Sequence, residues 1–142
     1  MSVKDILNDK GSAIYSVQHT AKLREAIAVL NDKNIGVVLI TDDDGKLAGI
    51  LSERDIVRKS LRQETGFRDE PVTKSMTDKV LTVTSDATVN EVMDIMTKSR
   101  FRHIPVVDGD NINGLISIGD IVKRKIADAE NEAAAMRDYI AG

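Results

Sequence analysis

The chain has no cysteine and no tryptophan, only two histidines and two prolines, and 3% aromatic residues. Without cysteine there can be no disulfide, thiolate metal site or cysteine nucleophile. His19 and His103 are too few for an all-histidine zinc site. The scarcity of aromatics leaves Val, Ile, Leu, Ala and Met to build the core, and it removes the stacking platforms on which single-stranded nucleic acid is bound. No apolar run approaches the roughly 18 residues of a membrane span. The opening Met1-Ser2-Val3-Lys4-Asp5 lacks the charged-then-apolar order of a signal peptide. The net charge of −3 shows no basic excess. A cytoplasmic protein is expected, with neither nucleic acid nor membrane as partner. No Ser/His/Asp arrangement, nucleophile elbow or phosphate loop is present, so no enzyme is expected. Asp42-Asp43-Asp44-Gly45 lacks the spaced ligands and terminal Glu of a calcium loop and reads as a solvated turn.

What the 142 residues do contain is a repeat. Gly49-Ile50-Leu51-Ser52-Glu53-Arg54-Asp55-Ile56-Val57 returns as Gly114-Leu115-Ile116-Ser117-Ile118-Gly119-Asp120-Ile121-Val122. Upstream, Val17 matches Val83, Ala21 matches Ala87, Glu25 matches Glu91 and Asp42 matches Asp108; further upstream still, Val3 matches Val72. The offset changes only at two loops, as a duplicated fold requires. Each copy reads β-α-β-β-α. Strands are expected at Ile14 to Gln18 and Val80 to Thr84. Helices follow, with apolar faces at Leu23, Ile27 and Leu30, and at Val89, Val92, Met93 and Met96. The dense strands Val37–Ile40 and Ile104–Val107 come next, then Leu47 to Leu51 and Ile112 to Ile116, each leading into a helix. Pro105 within a strand predicts an edge position or a backbone left open for another partner. The boundaries are residues 1–63 for the first copy, a polar linker at 64–71, 72–128 for the second copy, and a helical tail at 129–142 that covers a core edge or mediates dimer contacts.

Ser-x-x-Asp at the end of a strand supports two readings. An ionised carboxylate offers two acceptor oxygens and can receive both hydroxyls of a vicinal diol. A serine at a helix entrance, beside free backbone N–H groups, can donate to an anion. The same four residues also form a capping box, worth about 1 kcal/mol with no ligand at all.

Arg102-His103-Ile104-Pro105-Val106-Val107-Asp108, followed by the Gly114–Val122 motif and duplicated along the chain, resembles the CBS domain, named for cystathionine β-synthase, as a tandem pair over roughly residues 1–128. The resemblance implies an α/β (α+β) fold in which two pseudosymmetric copies pack through their sheets and modules pair as homodimers. It implies a stand-alone, non-catalytic regulatory module that binds an adenosine ligand (AMP, ATP, ADP, NAD or S-adenosylmethionine) between the copies and signals through an unknown effector protein. The alternative is a structural or protein-interaction module with vestigial clefts. The favoured site lies in the second copy, at Thr82, Arg102, His103, Ile104, Pro105, Ser117 and Asp120. The first-copy site comprises Ser16, Gly36, Val38, Ser52, Arg54 and Asp55, with Arg54 as a phosphate clamp. It departs from the family pattern in having Gly36-Val37 where the second copy has Arg102-His103, and Leu39 where it has Pro105. The apolar walls for adenine are expected from Ile104-Pro105 and Val38-Leu39.

Overall fold

The computed structural model describes residues 1–141. Helix α1 (Val3–Lys10) leads to strand β1 (Ser16–Gln18), helix α2 (Leu23–Lys33), strands β2 (Val37–Thr41) and β3 (Leu47–Ser52), and helix α3 (Glu53–Arg62). Two short 3-10 turns, Phe67–Asp69 and Val72–Lys74, connect to helix α4 (Val89–Ser99), strands β4 (His103–Asp108) and β5 (Asn111–Ser117), and helix α5 (Ile118–Ala141). The strands form a three-stranded sheet, β1-β2-β3, and a two-stranded sheet, β4-β5. This is the mixed α/β architecture expected from the repeat.

Helices α3, α4 and α5 begin where a hydroxyl accepts from a free amide of the first turn. Ser52 and Thr88 accept from the backbone N–H of Asp55 and Glu91, whose carboxylates accept from the N–H of Ser52 and Thr88 in return. Ser117 and Asp120 repeat the arrangement at α5. Helices α2 and α4 end on left-handed residues at corresponding places, Asn34 and Arg100. The last helix of the second copy and the helical tail form one element. Helix α5 runs without interruption to Ala141 because residues 118–141 contain no proline and a single glycine, Gly119, in the first turn.

The strand expected at Val80 to Thr84 is reduced to one parallel bridge, Val83 with Val106. In the first copy, β1 is held to β2 by Leu39 N–H donating to Tyr15 C=O at 3.0 Å and His19 N–H donating to Thr41 C=O at 2.8 Å. At the position of Leu39 the second copy has Pro105, which lacks the N–H. At the position of His19 it has Ser85, whose N–H donates to the Asp108 carboxylate at 3.0 Å instead. Pro105 is therefore not at a bare edge. Its carbonyl still accepts from Val83 at 3.1 Å while β5 pairs along the other side of β4.

The two copies exchange their leading segments. Val3 N–H donates to Ala87 C=O at 2.8 Å, and Val72 N–H donates to Ala21 C=O at 2.9 Å. Val3, Ile6 and Leu7 are therefore buried in the core of the second copy with Val83, Val92, Met96, Ile104 and Ile116. Val72, the first residue of the second copy, and Phe67, from the stretch read as a polar linker, join Leu23, Ala26, Val38, Ile40 and Leu51 in the core of the first. Residue 3 corresponds to residue 72, so each core is closed by the same position of the opposite copy.

The repeated glycines admit these segments. A Cβ on Gly114 would stand 2.6 Å from Leu7 Cδ2, and one on Gly49 would stand 2.9 Å from the Thr77 carbonyl and collide with Met76. Leu7 and Met76 are themselves repeat partners. Thr77 also pairs with Ile50 through two backbone hydrogen bonds, which fixes its carbonyl in place. We expect Gly49→Ala to cost about 1–3 kcal/mol by overpacking. Gly114→Ala should cost less, because the end of a leucine side chain can turn aside and a paired backbone carbonyl cannot. Thermal or denaturant unfolding of the two variants measures the difference, and equal losses would contradict this account.

Candidate functional site

The antiparallel register of β4 and β5 sets His103 opposite Ser117, and Ile118 N–H donates to Arg102 C=O at 2.8 Å. These contacts bring Arg102, His103, Ser117 and Asp120 together at the start of α5. The first copy repeats the frame: Val37 lies opposite Ser52, and Glu53 N–H donates to Gly36 C=O at 3.0 Å. Both Ser-x-x-Asp motifs are capping boxes. Asp55 Oδ2 accepts from Ser52 N–H at 2.9 Å and from its hydroxyl at 3.0 Å. Asp120 Oδ2 accepts from Ser117 N–H at 2.8 Å. Among the described residues, all these bonds use Oδ2, so each carboxylate keeps Oδ1 for another donor.

The two sites differ through a residue that the motif alone does not reveal. Lys10, at the end of α1, donates from Nζ to Asp120 Oδ2 at 2.7 Å and to the Leu115 carbonyl at 2.7 Å. The exchange of leading segments carries this ammonium onto the second-copy carboxylate. Continuing the match of Val3 with Val72 would have exposed the pair, since Lys10 then corresponds to Lys79. Lys79 is exposed, and no hydrogen bond or ion pair joins it to Asp55 among the described residues. The site favoured from sequence is thus the one whose carboxylate already holds a cation.

The electrostatics follow from this contact. Burial pushes the Asp120 carboxyl up, but the Lys10 ammonium and the Ser117 N–H outweigh it and hold its pKa below the usual 3.8. Burial of the His103 ring pushes its pKa below 6.5. The Asp120 carboxylate opposes that shift, and Lys10 and Arg102 reinforce it. His103 is therefore neutral at pH 7, a hydrogen-bonding group rather than a fixed charge.

The remaining expected residues divide. Ile104 and Val38 are fully buried in the helix-side cores, so their side chains supply no wall to a cleft. The strand alternation turns their neighbours, Pro105 and Leu39, to the opposite face, where both are also buried. Arg102 and Arg54 are exposed. Arg102 borders a groove of about 600 Å³ with Gly119 and Lys123. Ser16 is exposed on β1, paired with Leu39, and Gly36 ends the turn into β2. Thr82 is not with the other second-copy residues. It lines a separate cleft of about 300 Å³ with Ala48, Val80 and Val107, where Lys46 Nζ of one hairpin approaches Asp110 Oδ2 of the other at 3.6 Å. No cluster of three or more His, Cys, Asp or Glu side chains suited to a metal occurs among the described residues.

Comparison with known families matches the CBS domain twice, at residues 3–62 and 71–127. The chain belongs to the CBS domain family. It is 33% identical over 122 residues to the mitochondrial CBS domain-containing protein CBSX3 of Arabidopsis thaliana, covering 83% of this chain and 59% of that protein, so it spans about three-fifths of that relative's length. Among solved structures, a putative signal-transduction protein with CBS domains from Burkholderia ambifaria is 41% identical, with a TM-score of 0.82 over 90% of this chain and 96% of that one. The CBS domain pair of protein MJ0100, in complex with 5′-methylthioadenosine and S-adenosyl-L-methionine, is 29% identical, with a TM-score of 0.78 over 90% and 98% of the two chains. The first CBS match begins at Val3, so the family pattern includes the segment that the fold sends into the opposite core.

Replacing Lys10 with Met should raise the pKa values of both Asp120 and His103, since one cation depresses both. An ionised Asp120 with a depressed pKa contributes stability that is complete above pH 3.8 and is lost as the pH falls through its lower folded value. The variant should therefore be about 0.5–1 kcal/mol less stable at pH 7, with the gap closing in acid. NMR titration of the two side chains, with unfolding at several pH values, tests this; unmoved pKa values would show that the contact is not made.

Proposed function

We propose that this CBS pair is a cytoplasmic, non-catalytic regulatory module that binds an adenosine-containing ligand (AMP, ADP, ATP, NAD or S-adenosylmethionine). The observation that carries the reading is the paired Asp55 and Asp120, each fixed in the first turn of a helix with Oδ1 open. A carboxylate held this way can accept from a ribose hydroxyl. The helix N-terminus and the adjacent Arg54, or Arg102 with neutral His103, offer donors to phosphate. The likeness to a CBS pair that holds two adenosine compounds supports the same ligand class. Ligand binding that favours one arrangement of the copies shifts the population toward it, and an effector protein would read that shift.

We further propose that the module pairs with a second copy. Helices α3 and α5 leave matching repeat positions exposed, Val57 and Leu61 on one and Val122 and Ile126 on the other. Apolar positions exposed at equivalent places on two helices suit burial against a second molecule.

One observation favours a different reading, a structural module with unused clefts. Both Ser-x-x-Asp motifs are already satisfied as helix caps, and Lys10 occupies Asp120. A thermal-shift panel of AMP, ADP, ATP, NAD and S-adenosylmethionine separates the two. A true ligand at about a hundred times its Kd stabilises the fold by roughly 2.7 kcal/mol. Asp120→Asn or Asp55→Asn should remove that gain at the corresponding site while lowering the ligand-free stability by about 1 kcal/mol or less. No shift with any of the five compounds would sink the ligand-binding reading.

A further inference from the structure

Helix α5 is more than twice as long as its repeat partner α3, 24 residues against 10. Beyond Asp128 it is largely exposed: among residues 129–141 only Ala134 is partly buried. A helix segment with no tertiary contact is marginal in water even when rich in alanine. This one nevertheless carries an ordered apolar stripe. Val122, Ile126, Ala129, Ala133, Met136 and Ile140 recur at intervals of four, three, four, three and four residues, the seam of a two-stranded coiled coil and narrower than the face of a core helix. Met136 is 60% and Ile140 78% exposed. The seam begins within the globular body, where Val122 and Ile126 border a groove of about 430 Å³ between α4 and α5.

The charges beside the seam select the pairing. With Ile126, Ala133 and Ile140 at the a positions and Val122, Ala129 and Met136 at d, the flanking g positions hold Lys125 and Glu132, and the e positions hold Glu130 and Arg137. In a parallel, in-register pair, Lys125 faces the partner's Glu130 and Glu132 faces the partner's Arg137. Both contacts are of opposite sign, and each occurs twice by symmetry. An antiparallel pair on the same apolar layers sets Glu130 against the partner's Glu130, and Lys123 against the partner's Arg137, which is repulsive. Glu130, Glu132 and Arg137 make no ion pair within the described residues, and Lys125 bonds only the side chain of Asn90. Ala129 and Ala133 at the centre of the seam let two helices approach closely. We infer that the C-terminal half of α5 forms a parallel, in-register two-stranded coiled coil with α5 of a second copy of this chain. The inference rests on the proposed pairing of two copies and adds the segment and its polarity.

Because the chain has no cysteine, single cysteines report the geometry directly. Ala133→Cys and Ile140→Cys, at a positions, should give covalent dimers on a non-reducing gel after mild oxidation, while Asn131→Cys and Asp138→Cys, on the outer face, should not. Arg137→Glu should weaken dimerisation about tenfold in sedimentation equilibrium, and adding Glu132→Arg should restore it. If Ile140→Cys cross-links only when mixed with Val122→Cys, the helices are antiparallel and the inference is overturned, though two copies still pair. If none of the variants cross-links and truncation after Asp128 leaves the dimer mass unchanged, the copies pair elsewhere and the tail does not join them. A monomer at all concentrations overturns both the inference and the pairing on which it rests.

Discussion

The exchange of leading segments between the two copies is the constraint on which the rest of this fold depends. Each core lacks a closing element of its own, and Val3 and Val72, fully buried in opposite cores, supply it. Burying a valine in this way contributes about 1.5–3 kcal/mol, and the backbone bonds to Ala87 and Ala21 fix the direction of entry. Neither copy can then complete its packing alone. The two behave as one body, and a change at the end of α1 or in the linker is felt in the other half. Gly49 and Gly114 serve the same exchange by letting Met76 and Leu7 lie against the strands.

Function inherits this geometry. The segment that closes the second core ends at Lys10, within reach of the second carboxylate, and the equivalent segment ends at Lys79 without touching Asp55. Two motifs that read alike are therefore different sites. One is a cap with an open oxygen and no nearby cation bonded to it. The other is a cap whose carboxylate is held by an ammonium that also depresses His103. Under the proposed function, a ligand hydroxyl would compete with Lys10 for Oδ2 of Asp120 or use Oδ1 beside it. At the first site Oδ2 already accepts the N–H and the hydroxyl of Ser52, and Oδ1 is the open acceptor.

Much of this was legible in the residues. Val17 with Val83 and Ser52 with Ser117 proved to be structural equivalents, because a repeat that keeps its apolar spacing keeps its strand faces and helix caps. Other features needed partners distant in sequence. Pro105 announced a backbone interruption, but the missing bond belonged to the segment around Leu81, far from it in sequence, and that loss unravelled an expected strand. Ile104 and Val38 were expected at a cleft, yet the two-residue period of a strand assigned that face to Pro105 and Leu39. Thr82 lines another cleft, with Ala48 of the first copy, a contact that no spacing within the second copy foretells. Phe67 sat in a stretch that composition reads as linker, and only the open core of the first copy explains its burial.

The sequence by itself determined the duplicated architecture, the caps and the two carboxylates, since these rest on local spacing and on the preference of amides for nearby acceptors. Tertiary structure alone decided that the halves trade segments and that one carboxylate receives Lys10 while, among the described residues, the other receives no cation. It also decided that the last turns of α5 stand clear of the body. These outcomes depend on which surfaces meet in space. A spacing rule within one copy carries no information about the atoms that the other copy will bring.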